Sequence, residues 1–168
     1  MKNNKLVERL ERAKDVIEIF EVVKEAARDS RFGSRAGLML GLADLGGGDG
    51  HWIGGLYPIA SNVIVLNRKP LSIIKVSRPE IYRSYVFHVL LHEYIHALGV
   101  TDEDETRSIA YRITKEQFGD GHLATAMAKD ITSILPYITY PGQRDMIDDP
   151  SFELVKGFDR SSTDRYIY

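Results

Sequence analysis

A chain of 168 residues is long enough for one domain that buries about two-thirds of its unfolded surface, and its 43% hydrophobic and 27% charged content is ordinary for a soluble globular protein. A net charge of −2 supplies no field for nucleic acid or an acidic membrane, so neither is predicted as a partner. The chain has no cysteine, which excludes disulfides and thiolate ligands and leaves His, Asp and Glu to build any metal site.

The first twenty residues are charged throughout and lack the apolar core of a signal peptide. No run reaches the roughly 18 uncharged residues of a membrane span. The sequence therefore predicts a cytoplasmic, soluble chain forming a single domain over residues 1–168. Residues 3–29 predict one long amphipathic helix, because Leu6, Leu10, Ala13, Ile17, Phe20, Val23 and Ala27 recur at three- and four-residue steps. Leu38, Leu40 and Leu42 then alternate with small residues, as in a strand. The cluster Gly46, Gly47, Gly48 and Gly50 predicts a flexible turn, and it lacks the Lys-Ser/Thr pair of a phosphate-binding loop. Residues 51–57 and 62–67 predict two more strands, separated by Pro58, Ala60 and Ser61. A small, mostly antiparallel sheet follows from this pattern.

The second half predicts helices. Ser77 as cap and Pro79 just inside start a helix that runs to Leu98 and ends at Gly99. Another begins near Thr101 or Asp102 and continues to Phe118; a third spans residues 122–135 and stops at Pro136. Residues 141–168 show no period and predict an irregular tail, which could lie over a cleft. The fold class is α+β.

The helix before Gly99 carries the chemistry. From Val86 to Leu98 every residue is apolar or Tyr except His88, His92, Glu93 and His96. A helix apolar on all sides is buried, and a carboxylate there costs several kcal/mol without a partner. His92 and His96 are one turn apart, so both imidazoles leave one face and can converge on one cation. Glu93 projects from the adjoining edge, within reach of a water on that cation. His88 lies one turn earlier and reads either as a cleft residue or as a hydrogen-bonded core histidine. His122 and His51 read as surface residues.

HEYIH, residues 92–96, resembles the HExxH signature of the zincin metallopeptidases, and the longer string HEYIHALGVTD resembles the metzincin pattern HExxHxxGxxH/D. The resemblance covers roughly residues 35–120 and rests on about eleven of them. It implies a zincin-like fold, a bound Zn2+, His92 and His96 as ligands, Glu93 as the catalytic acid–base, and Asp102 as the third ligand. It also implies that the strand NVIVLN, residues 62–67, is the edge strand that pairs with an extended peptide. Two features depart from the pattern. Neither Met127 nor Met146 stands in a Met-turn context, and the residues after Asp102 look helical, as in the gluzincins, whose third ligand is a Glu on a second helix. Glu103 and Glu105 therefore compete with Asp102, and all three also read as first-turn acids suited to a helix dipole. The implied activity is hydrolysis of peptide or protein substrates. A deformylase-like or endoribonuclease-like zinc hydrolase, or an inactive binding module of the same fold, are the alternatives.

Overall fold

The computed structural model describes residues 4–45, 50–139 and 152–157. The described residues form an α+β fold in which six helices and a small mixed sheet surround a main hydrophobic core, with a smaller cluster of Ala43, Leu56 and Val65 beside it. The predicted glycine turn at 46–49 and most of the predicted tail, including Met146, lie outside the described residues.

The amphipathic stretch at 3–29 is two helices, α1 (Asn4–Arg12) and α2 (Val16–Asp29). Asp15 makes the break. Its backbone is extended, at φ −151° and ψ 177°, and its side chain accepts the Glu18 N–H as the cap of α2. The apolar period runs across the break because Leu6 and Leu10 of α1 and Phe20, Val23 and Ala27 of α2 all enter the same core.

The strands are β1 (Met39–Ala43), β2 (Trp52–Ile53), β3 (Gly55–Leu56), β4 (Val63–Asn67), β5 (Ile138–Thr139) and β6 (Glu153–Leu154). The main sheet has the order β3-β4-β1-β6, while β2 and β5 form a separate parallel pair. The longest ladder, β1 with β4, is parallel, whereas β3 with β4 and β1 with β6 are antiparallel, so the sheet is mixed. The chain between them is long enough for the crossover that parallel pairing requires. NVIVLN forms β4, which is paired on both sides, with β3 antiparallel and β1 parallel. It is therefore an internal strand, and the expectation that it serves as a substrate-pairing edge is overturned; the edges of this sheet are β3 and β6.

The strand β6 corrects the tail as well, since residues 153–154 pair with β1 and Val155 N–H donates to the Leu40 carbonyl at 2.8 Å. Phe152 lies across Gly41, where a Cβ would run into its ring. Arg68 reaches both Glu153 and Asp44 at 3.5 Å. This part of the tail thus sits on the sheet edge opposite β3.

Asn67 ends β4 and caps α3 (Arg68–Ser77), a helix that the sequence pattern does not predict. Its buried amide accepts from the Lys69 and Leu45 N–H groups and donates to the Ile53 carbonyl at 2.8 Å, tying sheet, helix and the β2 segment together. Ser77 therefore closes α3 and does not cap the next helix; Arg78 stands at that junction. Next come α4 (Pro79–Ala97), α5 (Glu103–Phe118) and α6 (Leu123–Lys129), the last followed by a 3-10 turn over Ile131–Ser133. The predicted helix at 122–135 is thus shorter, because Asp130 adopts an extended backbone and starts the 3-10 turn.

The central helix is α4, buried from Ser84 to Ile95 without interruption. Phe20 of α2 meets Tyr94 edge-on with ring centroids 5.5 Å apart, and Phe118 of α5 packs on Phe87 at 4.8 Å. Each such side chain contributes about 1.5–3 kcal/mol through burial. No helix among the described residues is long and apolar enough to cross a membrane.

Candidate metal centre

Because α4 is buried all round, its polar residues are placed by helical geometry against different neighbours. Tyr85, Val89, Glu93 and Ala97 form one row, and His88, His92 and His96 the next. The first row faces the segment 54–57: a Cβ on Gly54 would sit 3.1 Å from the Tyr85 hydroxyl and from Val89. In the second row, His92 and His96 meet the start of α5.

Between these helices the chain reverses over five residues. Gly99, at φ +109°, supplies a backbone conformation that L side chains rarely adopt. Asp102 then caps α5, accepting the Glu105 N–H at 2.8 Å. That places Glu103, the first helical residue, against α4. Its Oε2 lies 3.0 Å from His92 Nε2 and its Oε1 2.8 Å from His96 Nε2.

The ligand atoms of His92, His96 and Glu103 lie within 4.8 Å of one another, and this group can hold a metal ion. The structure brings Glu103 to the imidazoles, where Asp102 was the leading expectation. The Asp102 carboxylate is engaged as a helix cap, and Glu105 is exposed beyond it. The Asp-x-x-Glu spacing at 102–105 is the sequence signal that assigns Asp102 to capping.

His96 is oriented from behind. Its Nδ1 stands 2.6 Å from the Val100 carbonyl, which can only accept, so Nδ1 carries the proton. Thr106 Oγ1 donates to the Asp102 carbonyl at 2.7 Å and lies 3.4 Å from the same Nδ1. In neutral His96 the Nε2 is then a bare acceptor facing a carboxylate oxygen at 2.8 Å. Two acceptors at that distance require a positive species between them, either a proton or a cation. The donor set fits zinc. Bonds of about 2.0–2.1 Å in a tetrahedral arrangement place ligand atoms about 3.3 Å apart, so the 2.8–3.0 Å contacts need to open by only a few tenths of an ångström.

The electrostatics agree with this competition. Burial pulls the His96 pKa down, but the hydrogen bond to Glu103, the Glu93 charge and the Val100 carbonyl raise it overall. Burial pushes Glu103 up, yet hydrogen bonds from His92 and His96 and their charge bring it down to about 2. Glu103 is thus ionised at any ordinary pH, whereas His96 must give up a proton to become a ligand. The affinity of this group for a metal ion should therefore fall as the pH drops through the raised His96 pKa, and binding near neutrality should release protons. Calorimetric titration in buffers of different ionisation enthalpy checks this; an affinity constant from about pH 8 to about pH 5 contradicts it.

Glu93 is not among the three residues that could hold a metal ion. It is 3% exposed, and the Tyr57 backbone N–H donates to its carboxylate. Burial pushes its pKa above the ordinary carboxylate value; His92 and His96 pull it back, and the Glu103 charge adds to the push. His88 is a core histidine, 3% exposed, and burial with the neighbouring His92 lowers its pKa to about 3. His122 caps α6 through Nδ1, which accepts the Ala124 N–H at 3.0 Å, and its ring stacks on Phe118. His51 is exposed beside the glycine cluster. The sequence pattern gave no sign of Val100 or Thr106, which act through a backbone carbonyl and a hydroxyl on groups four residues away, or of Arg35, whose guanidinium donates to groups 22 to 62 residues away.

Comparison with protein-family models, with curated proteins and with solved structures returns no match.

Proposed function

We propose that the chain is a zinc-dependent hydrolase of peptide bonds, a metallopeptidase of the HExxH kind that residues 92–96 resemble. The observation that carries this reading is the convergence of His92 Nε2, His96 Nε2 and the Glu103 carboxylate on one point beside a buried Glu93. Two imidazoles and one carboxylate, with a fourth position left open, are the donor set of catalytic zinc sites.

Zinc at this point would polarise a substrate carbonyl and lower the pKa of water to about 7. Glu93 supplies the proton transfers. Burial raises its pKa above the ordinary carboxylate value, which suits a group that accepts a proton from the attacking water and returns it to the leaving amine. The Tyr57 backbone hydrogen bond favours the ionised form of that carboxylate against the push of burial. Val100 and Asp102 fix the ligands from outside, Val100 by orienting His96 and Asp102 by starting the helix that presents Glu103. The zincin-like arrangement suits β3 better than β4 as the peptide-pairing strand, because β3 is an antiparallel edge that leads directly into Tyr57. A net charge of −2 favours peptide over RNA as substrate.

The test is cleavage of a mixed peptide library by protein loaded with one equivalent of zinc. Cleavage that stops on chelation and returns with zinc is the expected result. A fully loaded protein that cleaves no peptide contradicts the proposal.

A further inference from the structure

We propose that Arg35 is a positioning residue for the proton-carrying carboxylate, acting through the backbone of Tyr57. The inference rests on the reading of Glu93 given above. It starts from a contrast within α4: the imidazole of His96 is braced by a residue close in sequence, whereas the carboxylate of Glu93 takes its hydrogen bond from a loop 36 residues earlier. That loop, residues 57–61, follows the edge strand β3 and contains Ala60 at φ +61°, a left-handed conformation that a residue with a Cβ adopts at a cost. Ile59 and Ala60 at its tip are exposed. The precision with which the Tyr57 N–H meets Glu93 therefore depends on what fastens the loop to α4.

Arg35 is that fastening. Its Nη1 donates to the Tyr57 hydroxyl and to the Ala97 carbonyl, both at 2.9 Å, and its Nη2 donates to the Ser61 carbonyl at 2.9 Å. The Tyr57 hydroxyl in turn donates to the Ser61 carbonyl. The Arg35 backbone N–H donates to the Tyr94 hydroxyl at 3.0 Å. Two of these anchors belong to α4, on the C-terminal side of Glu93: Tyr94 is its neighbour in sequence, and Ala97 lies one turn on in the same row. The other two anchors are the first and last residues of the loop. A planar guanidinium satisfies these acceptors from one rigid group, and an ammonium on a flexible stem cannot span all three in the same way. The result is a fixed distance between the Tyr57 N–H and the helix that carries Glu93. Arg35 contacts none of the three metal-binding side chains among the hydrogen bonds it makes here, so its effect on them is separable.

Arg35→Ala should lower kcat by about 10- to 100-fold, the effect of an ångström-scale misplacement of a catalytic group, with KM within about twofold and one zinc still bound per chain. Arg35→Lys should recover only part of the loss. The readout independent of turnover is the Tyr57 amide resonance. In the parent protein it should shift on Glu93→Gln and resist hydrogen exchange; in the Arg35→Ala background that response should disappear and exchange should quicken. If Arg35→Ala does not fold, Tyr57→Phe removes the hydroxyl anchor alone and should show the same changes in smaller measure. An unaltered Tyr57 response with unaltered kcat overturns the proposal. So does a fall in kcat accompanied by loss of zinc, which would place Arg35 behind the ligands instead. If the amide response behaves as described and no variant or parent cleaves any peptide, the positioning stands and the peptidase reading alone fails.

Discussion

Replacing Glu103 by alanine is expected to weaken zinc binding by more than about a hundredfold, because losing an outer partner of a ligand already costs about 10- to 100-fold and the proposed reading makes Glu103 a ligand itself. The comparison variant is Asp102→Ala. Asp102 accepts the Glu105 N–H and starts α5, so its loss should cost about 1 kcal/mol of stability while zinc stays bound with little change. Competition against a chromophoric chelator measures the affinities, and denaturant unfolding of the metal-free proteins measures the stabilities. The reverse pattern, with zinc lost from Asp102→Ala and retained by Glu103→Ala, would return the third ligand to the position six residues past His96. The contrast is sharp because the two residues are adjacent yet point to different tasks.

Glu93→Gln should reduce kcat by about 10²- to 10⁴-fold with zinc still bound at one per chain. The amide oxygen of glutamine can still accept the Tyr57 N–H, so the local geometry is kept and only the ability to carry a proton is removed. Stability should move the other way. The carboxyl of Glu93 has its pKa raised by burial, so above that pKa the ionised form opposes folding; a neutral amide relieves this. The metal-free Glu93→Gln protein should therefore unfold at a higher temperature than the parent near neutral pH. Such an opposition of stability and activity is common where a polar group is held in an apolar setting for its chemistry. Equal rates for parent and variant would remove Glu93 from the reaction.

The features of α4 were legible because burial and spacing are both local. Thirteen residues with only His88, His92, Glu93 and His96 as polar members define a helix buried all round and a pair of imidazoles on one face. The choice among Asp102, Glu103 and Glu105 was not legible from period alone, since all three fall within the first turn of α5. What separates them is the direction each takes at a cap, where one side chain turns back to the helix N–H groups and the next is thrown toward α4. The split between α1 and α2 was hidden for a different reason: Leu10 and Phe20 serve one core, so the apolar period survives a break in the backbone at Asp15. Strand order is non-local, and nothing within NVIVLN says that residues 39–43 will cover its second side. The helix α3 has only Pro70, Leu71 and Ile74 buried, too few apolar positions for a recognisable stripe. Arg35 sits in an irregular segment and joins groups 22 to 62 residues away, a role with no signature in its own neighbourhood.

The most direct test of the metal centre is zinc-edge X-ray absorption on the chain titrated with one equivalent of zinc. Two imidazole nitrogens at about 2.0–2.1 Å and a carboxylate oxygen at about 2.0–2.2 Å are the predicted coordination, with the imidazole signal lost in the His92→Ala, His96→Ala double variant. A spectrum showing only oxygen neighbours, or one that the double variant leaves unchanged, would contradict it.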